Sequence, residues 1–217
     1  MWQSIYRQLE RAFPDFQVES WWGMADPFSR VVGSILVQNT NWSNVVKALE
    51  RMDAAGILFP EKLLLLSAEE LQEIIRPAGF QRAKSACLLQ ISRWIVQKGG
   101  MEVIRKSNES GEQLRRQLLA MKGIGEETAD TILAYALDRP SISGDAYTRR
   151  LWLRLTGESC TYGQIRMAIQ AEIEELQDLQ RLHGLIVEHG KEFCKKRQPQ
   201  CGKCLFSEKC RSASIPI

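Results

Sequence analysis

Four of the six cysteines, Cys194, Cys201, Cys204 and Cys210, fall within 17 residues at the spacing C-x6-C-x2-C-x5-C. A disulfide framework spreads its cysteines through a small secreted domain, whereas thiols crowded into one loop form a metal-ligand pattern. Four thiolates with no histidine between them fit tetrahedral zinc or a [4Fe–4S] cluster. Zinc ribbons use two C-x2-C knuckles separated by a longer loop. One knuckle with a single cysteine on each side suits wrapping a cubane better than closing one tetrahedron. Cys87 and Cys160 read as ordinary buried small residues. The loop is also basic: seven lysines and arginines between 191 and 211 face Glu192 and Glu208, a net +5, while the whole chain carries +3. Such basicity binds phosphate, balances four thiolates, or does both. The two histidines, His183 and His189, leave little supply for a His-based zinc site or proton shuttle.

A second group of residues lies upstream. The segment 119–130 reads as a helix end, a turn Lys122-Gly123-Ile124-Gly125, and a new helix start. The glycines permit positive φ and close backbone approach. The N–H groups of such a turn and of the following helix N-terminus form an anion site that reads phosphate geometry and ignores base sequence. A plain tight αα-turn accounts for the same pattern. Twenty residues after Gly125 comes Ser143-Gly144-Asp145, just before a helix. Taken alone, Asp145 reads first as an N-cap.

The elements that must position these groups are nearly all helical. Apolar periodicity and capping signals predict helices over 1–13, 28–37, 44–55, 67–75, 82–97, 110–120, 127–136, 146–156, 162–175 and 179–189. Ser43 or Asn41 is the cap of the third, and Ser67 to Glu70 is a capping box. No alternating strand of useful length appears. With 217 residues, 44% hydrophobic and 25% charged, the chain has ordinary globular composition and is long enough for one or two domains with real cores. No apolar run approaches the roughly 20 residues that span a bilayer, and Met1-Trp2-Gln3-Ser4 lacks a signal-peptide pattern, so a reducing, cytoplasmic location is expected.

Together the hairpin, Asp145 and the four-cysteine loop resemble the endonuclease III branch of the helix-hairpin-helix, Gly/Pro-Asp DNA glycosylases. The likeness extends through Leu36 to Thr40, Arg76 to Phe80, and His183-Gly184 to His189-Gly190, and covers most of the chain from Phe28 onward. It implies an all-α fold of two helical domains flanking a DNA-binding cleft. A six-helix barrel would occupy 28–137, and residues 1–27 and 138–217 would form a discontinuous domain carrying a [4Fe–4S] cluster on Cys194, Cys201, Cys204 and Cys210. The partner implied is double-stranded DNA holding a damaged base, with the chain a monomer in a prokaryotic cytoplasm and the base flipped into a pocket. Gly123 and Gly125 would hold a phosphate. Gln38 matches the residue that fills the gap left by the flipped nucleotide. Phe80, Gln81 and Arg82 match the loop that wedges the opposite strand.

The departures from the family pattern bear on the reaction. Bifunctional members carry a lysine two residues after the second hairpin glycine, which forms a Schiff base with the sugar. Here that position is Glu127, and a carboxylate cannot form a Schiff base. A monofunctional glycosylase lacking efficient lyase activity is therefore expected, with Asp145 stabilising the oxocarbenium-like sugar and orienting or deprotonating water. Glu127 would add negative charge or position water. The chain looks most like the branch that removes 3-methyladenine and related alkylpurines. Trp21, Trp22 and Trp42 are candidates to hold a cationic base by stacking and cation–π attraction. The competing expectations are a monofunctional glycosylase for mismatched or oxidised bases, and a non-catalytic damage-binding protein.

Overall fold

The computed structural model describes residues 1–213. Thirteen α-helices occur among them, and no strand. They are α1 (Trp2–Ala12), α2 (Val18–Trp22), α3 (Pro27–Leu36), α4 (Trp42–Ala54), α5 (Pro60–Leu63), α6 (Ala68–Ile74), α7 (Gln81–Gln97), α8 (Met101–Lys106), α9 (Gly111–Leu119), α10 (Glu126–Tyr135), α11 (Ala146–Thr156), α12 (Tyr162–Gln170) and α13 (Leu176–Glu192). Among the described residues no helix is long and apolar enough to cross a membrane.

The chain divides into two compact units, one built from Met1–Trp21 and Pro140–Ile217, the other from Trp22–Arg139. Residues 214–217, the end of the expected second segment, lie outside the described residues. The contiguous unit holds α3 to α10. Its core is an unbroken apolar cluster that includes Val32, Ile35, Met52, Leu88, Ile91 and Ile132, all under 1% exposed. The discontinuous unit holds α1 and α11 to α13. Trp2, Ile5 and Leu9 line one face of α1 at helical spacing and share a core with Ile169, Leu182 and Leu185. Trp2 also stacks on Trp152, ring centres 5.6 Å apart.

Local chemistry starts most of these helices. Asp26 caps α3, with Pro27 in the first turn where its missing N–H costs nothing. Asn41, not Ser43, caps α4, so that helix begins at Trp42, two residues before the expected Asn44. Ser67 and Glu70 form the expected capping box, and Ser110/Gln113 and Thr161/Gln164 form two more. The expected helix 162–175 stops at Gln170, and the final helix opens earlier, at Leu176. The short helices α2, α5 and α8 were not expected. Cys160 is half-buried rather than buried, while Cys87 is fully buried.

Candidate functional site

In the discontinuous unit, Asp145 caps α11 and is itself buried. Its Oδ1 accepts from the Thr148 backbone N–H at 2.8 Å and from the Thr148 hydroxyl at 2.9 Å. Its Oδ2 faces Nε2 of His183, on α13, at 3.6 Å. Burial pushes the carboxyl pKa up, but His183 and the Thr148 bonds outweigh it and hold Asp145 below the usual range. The preceding glycine is sterically required. A Cβ on Gly144 would sit 2.7 Å from Ile165 Cγ2 and 3.1 Å from the Tyr162 carbonyl oxygen. One residue is thus both a helix cap and a buried carboxylate facing a histidine, and the low histidine count did not keep a histidine from Asp145.

The same helix reaches the cysteine loop. Arg150 Nε donates to the Cys194 carbonyl at 2.8 Å, and Arg154 Nη1 donates to the Lys195 carbonyl at 2.8 Å. Cys194, Cys201, Cys204 and Cys210 together line one cavity of about 220 Å³. Polar atoms approach three of the sulfurs: Arg154 Nη1 stands 3.2 Å from Cys194 Sγ, His189 Nε2 3.3 Å from Cys204 Sγ, and Cys210 Sγ 3.2 Å from the Arg154 carbonyl oxygen. His189 is fully buried, with Nδ1 unpaired; burial first and Arg150 second push it down to about 4, so the ring is neutral near pH 7. Among the described residues no three or more His, Cys, Asp or Glu side chains are arranged to hold a single metal ion.

In the contiguous unit, α9 and α10 form the hairpin. Gly123 lies at φ +94°, in the region that favours glycine. Gly125 does not use that freedom: its φ is −92°, it is the N-cap of α10, and a Cβ there would meet open space. No side chain caps α10, and Glu126 and Glu127 stand in its first turn. Arg115 clamps the hairpin from α9, donating to both oxygens of the buried Asp130 at 2.9 and 3.0 Å and to Glu126 at 3.1 Å. Gln38, just past α3, lies against the turn: its Nε2 donates to the Gly123 carbonyl at 3.0 Å and to the Thr128 hydroxyl at 2.9 Å. Phe80 projects from a left-handed residue at φ 49° and is 64% exposed, with Gln81 and Arg82 exposed beside it in the first turn of α7.

The three candidate tryptophans are divided between the two units. Trp22 packs edge-on against Trp42, ring centres 5.5 Å apart, and lies 5.1 Å from the Tyr135 ring. Trp21, the preceding residue, belongs to the other unit; its ring stands edge-on to His183 at 5.9 Å and its Nε1 donates to Glu188 at 2.8 Å. Thr148, Arg115 and Tyr135 were not singled out in the sequence, and His183 stood there only as part of the stretch His183-Gly184 to His189-Gly190. Only Thr148 left a local signal, three residues after an N-cap Asp.

Residues 32–176 match the family model of the HhH-GPD superfamily base excision DNA repair proteins. Over 214 residues the chain is 36% identical to a Methanocaldococcus jannaschii protein provisionally named a DNA repair glycosylase, covering 97% of both chains. The fold is similar to that of an endonuclease III solved with DNA, with a TM-score of 0.81 at 22% identity, covering 98% of this chain and 96% of that one. It is also similar to the H. pylori 3-methyladenine DNA glycosylase bound to 1,N6-ethenoadenine, with a TM-score of 0.75 at 26% identity, covering 87% of this chain and 96% of that one. With its hairpin, its Gly-Asp pair and most of its length matched, the chain belongs to the HhH-GPD superfamily of base excision DNA repair proteins.

Proposed function

We propose that the chain is a monofunctional DNA glycosylase that, as a monomer, removes an alkylated purine such as 3-methyladenine from double-stranded DNA. The observation that carries this reading is Asp145: a buried carboxylate kept ionised, with one oxygen fixed by two bonds from Thr148. When the C1′–N bond breaks, the electron pair leaves with the base, the cationic alkylpurine becomes neutral, and the sugar takes on positive charge. A carboxylate about 4 Å away stabilises that charge by about 4 kcal/mol at an effective dielectric of 20, roughly a thousandfold in rate. Water then adds to C1′ and gives its proton to a base, the role assigned to Asp145. Glu127 stands exposed in the first turn of α10, where a lysine would be needed for Schiff-base chemistry, so the products are free base and an intact strand holding an abasic site. Trp42, half-buried, offers an aromatic face suited to a cationic base, backed by the buried rings of Trp22 and Tyr135. The H. pylori relative, named for 3-methyladenine, supports the same substrate class.

The phosphate contact is assigned to the Gly123–Gly125 turn, with Gln38 and Phe80 to Arg82 acting on the gap and the opposite strand. Cys194, Cys201, Cys204 and Cys210 would hold a [4Fe–4S] cluster. Four sulfurs lining one cavity, with the single C-x2-C knuckle of the loop, support that assignment. When bound, the cluster supplies a covalent crosslink of the loop and a redox-capable centre. The test is base release from methylated duplex DNA, scored separately for free base and nicked strand. Wild type is expected to release 3-methyladenine without nicking, and Asp145→Asn to bind DNA without releasing base. Strand cleavage by wild type, or undiminished release by Asp145→Asn, refutes the mechanism.

A further inference from the structure

The two oxygens of Asp145 are held in unlike ways. Both Thr148 bonds go to Oδ1, while Oδ2 faces His183 Nε2 at 3.6 Å. His183 and Asp145 are each only 7% exposed. The His183 ring is seated in turn. Trp21 stands edge-on to it at 5.9 Å, Trp21 Nε1 donates to Glu188 at 2.8 Å, and Lys191 bonds Glu188 at 2.7 Å while lying over the Trp21 ring. A buried carboxylate with one bare oxygen would lower its energy by taking up a proton. A neutral carboxyl cannot stabilise a cationic sugar.

We propose that His183 is the positioning residue of Asp145: an N–H directed at Oδ2 keeps the carboxylate ionised and in place while the base departs, and Trp21 seats the imidazole that does so. This rests on the reading of Asp145 given above. His183 passes no proton to substrate in this scheme; it acts only through Asp145. The scheme also gives Trp21 a task other than stacking on the damaged base. Among the described groups of its own unit, Thr148 on helix α11 and His183 from α13 contact the carboxylate, with Glu188 and Lys191 behind Trp21.

The experiment compares wild type, Asp145→Asn, His183→Leu and His183→Gln. Single-turnover release is measured on whichever duplex wild type processes (methylated, uracil-containing, mismatched or oxidised), alongside affinity for DNA bearing a tetrahydrofuran abasic analogue. His183→Leu is expected to slow release by about tenfold or more with little change in affinity, and His183→Gln, which keeps an N–H donor, to recover most of the rate. Carbon-13 NMR of the Asp145 carboxyl, identified by its absence in Asp145→Asn, reads the same effect without turnover: His183→Leu should move its titration to higher pH. Wild-type release by His183→Leu beside an inactive Asp145→Asn overturns the role of His183 and leaves that of Asp145 standing. Full release by Asp145→Asn overturns both. Equal losses of rate, affinity and melting temperature in the two His183 variants, or an unmoved carboxyl titration, also overturn it.

Discussion

Replacing Lys84 with methionine probes how the contiguous unit holds the segments that carry Gln38 and Phe80. Lys84 lies within α7, is 2% exposed, and donates through Nζ to the Leu36 and Ala78 carbonyls, both at 2.8 Å. Leu36 is the last residue of α3, two before Gln38, and Ala78 ends a 3₁₀ turn two residues before Phe80. One ammonium therefore ties together the ends of the two segments that present Gln38 and Phe80. Hydrogen bonds from a charged donor contribute about 1.5–3 kcal/mol each, and a carbonyl left without its donor costs about 1–3 kcal/mol. Methionine fills the space of the stem and removes the cost of burying an ammonium, several kcal/mol. The balance is a loss of about 2–4 kcal/mol. In a chain of this length 1 kcal/mol moves the melting temperature by about 2–4 °C, so Lys84→Met should melt roughly 5–15 °C lower. Circular dichroism melting measures this. Lys84→Arg should not restore stability, because a planar fork cannot replace a point donor between two carbonyls. A melting temperature unchanged in Lys84→Met would refute the account of the tie.

Asp145 contributes to stability as well as chemistry, with a definite sign. Its folded pKa lies below its unfolded value of about 3.9, so its contribution is complete above that pH and is lost as pH falls through the folded value. The stability gap between wild type and Asp145→Asn should therefore narrow on acidification below about pH 4, as followed by urea titrations across that range; a gap that widens contradicts the shift. Gly144→Ala places a methyl 2.7 Å from Ile165 Cγ2 and should cost about 1–3 kcal/mol while slowing base release by displacing Asp145; denaturant melts and single-turnover rates check both. Cys201→Ser should lower bound iron and destabilise the loop or weaken DNA binding. Iron analysis beside affinity measurements decides this, and a stable, iron-free variant with unchanged activity would argue against it.

What was legible in the sequence was what chemistry writes locally. Ser67 with Glu70, the Gly-rich turn before Glu126, and four cysteines in one loop carry their meaning within a few residues. The helices α5 and α8 span four and six residues, too short for an apolar period to register. Lys84 reads as a surface charge on an amphipathic helix; it is buried because two carbonyls, 48 and six residues away in sequence, accept from it. His183 is 38 residues from Asp145, and only the packing of α13 on α11 brings them together. Trp21 and Trp22 look like a pair, yet consecutive residues of a helix point about 100° apart. Each ring has a neighbour in its own unit, Trp21 against His183 and Trp22 against Trp42.

The order of the two units along the chain also has a consequence for biosynthesis. The unit Trp22–Arg139 is contiguous and so can fold as soon as it clears the ribosome, but Met1–Trp21 finds its core partners only among residues after Pro140. At about 5–20 residues per second, the stretch from Pro140 to Phe206, the last member of that core, takes roughly 3–13 s to make. Through that interval α1 carries an apolar face, Trp2, Ile5 and Leu9, with nothing to bury it. The nascent chain should then be a client for holdase chaperones at α1, and translation slowed after residue 140 should lengthen that dependence.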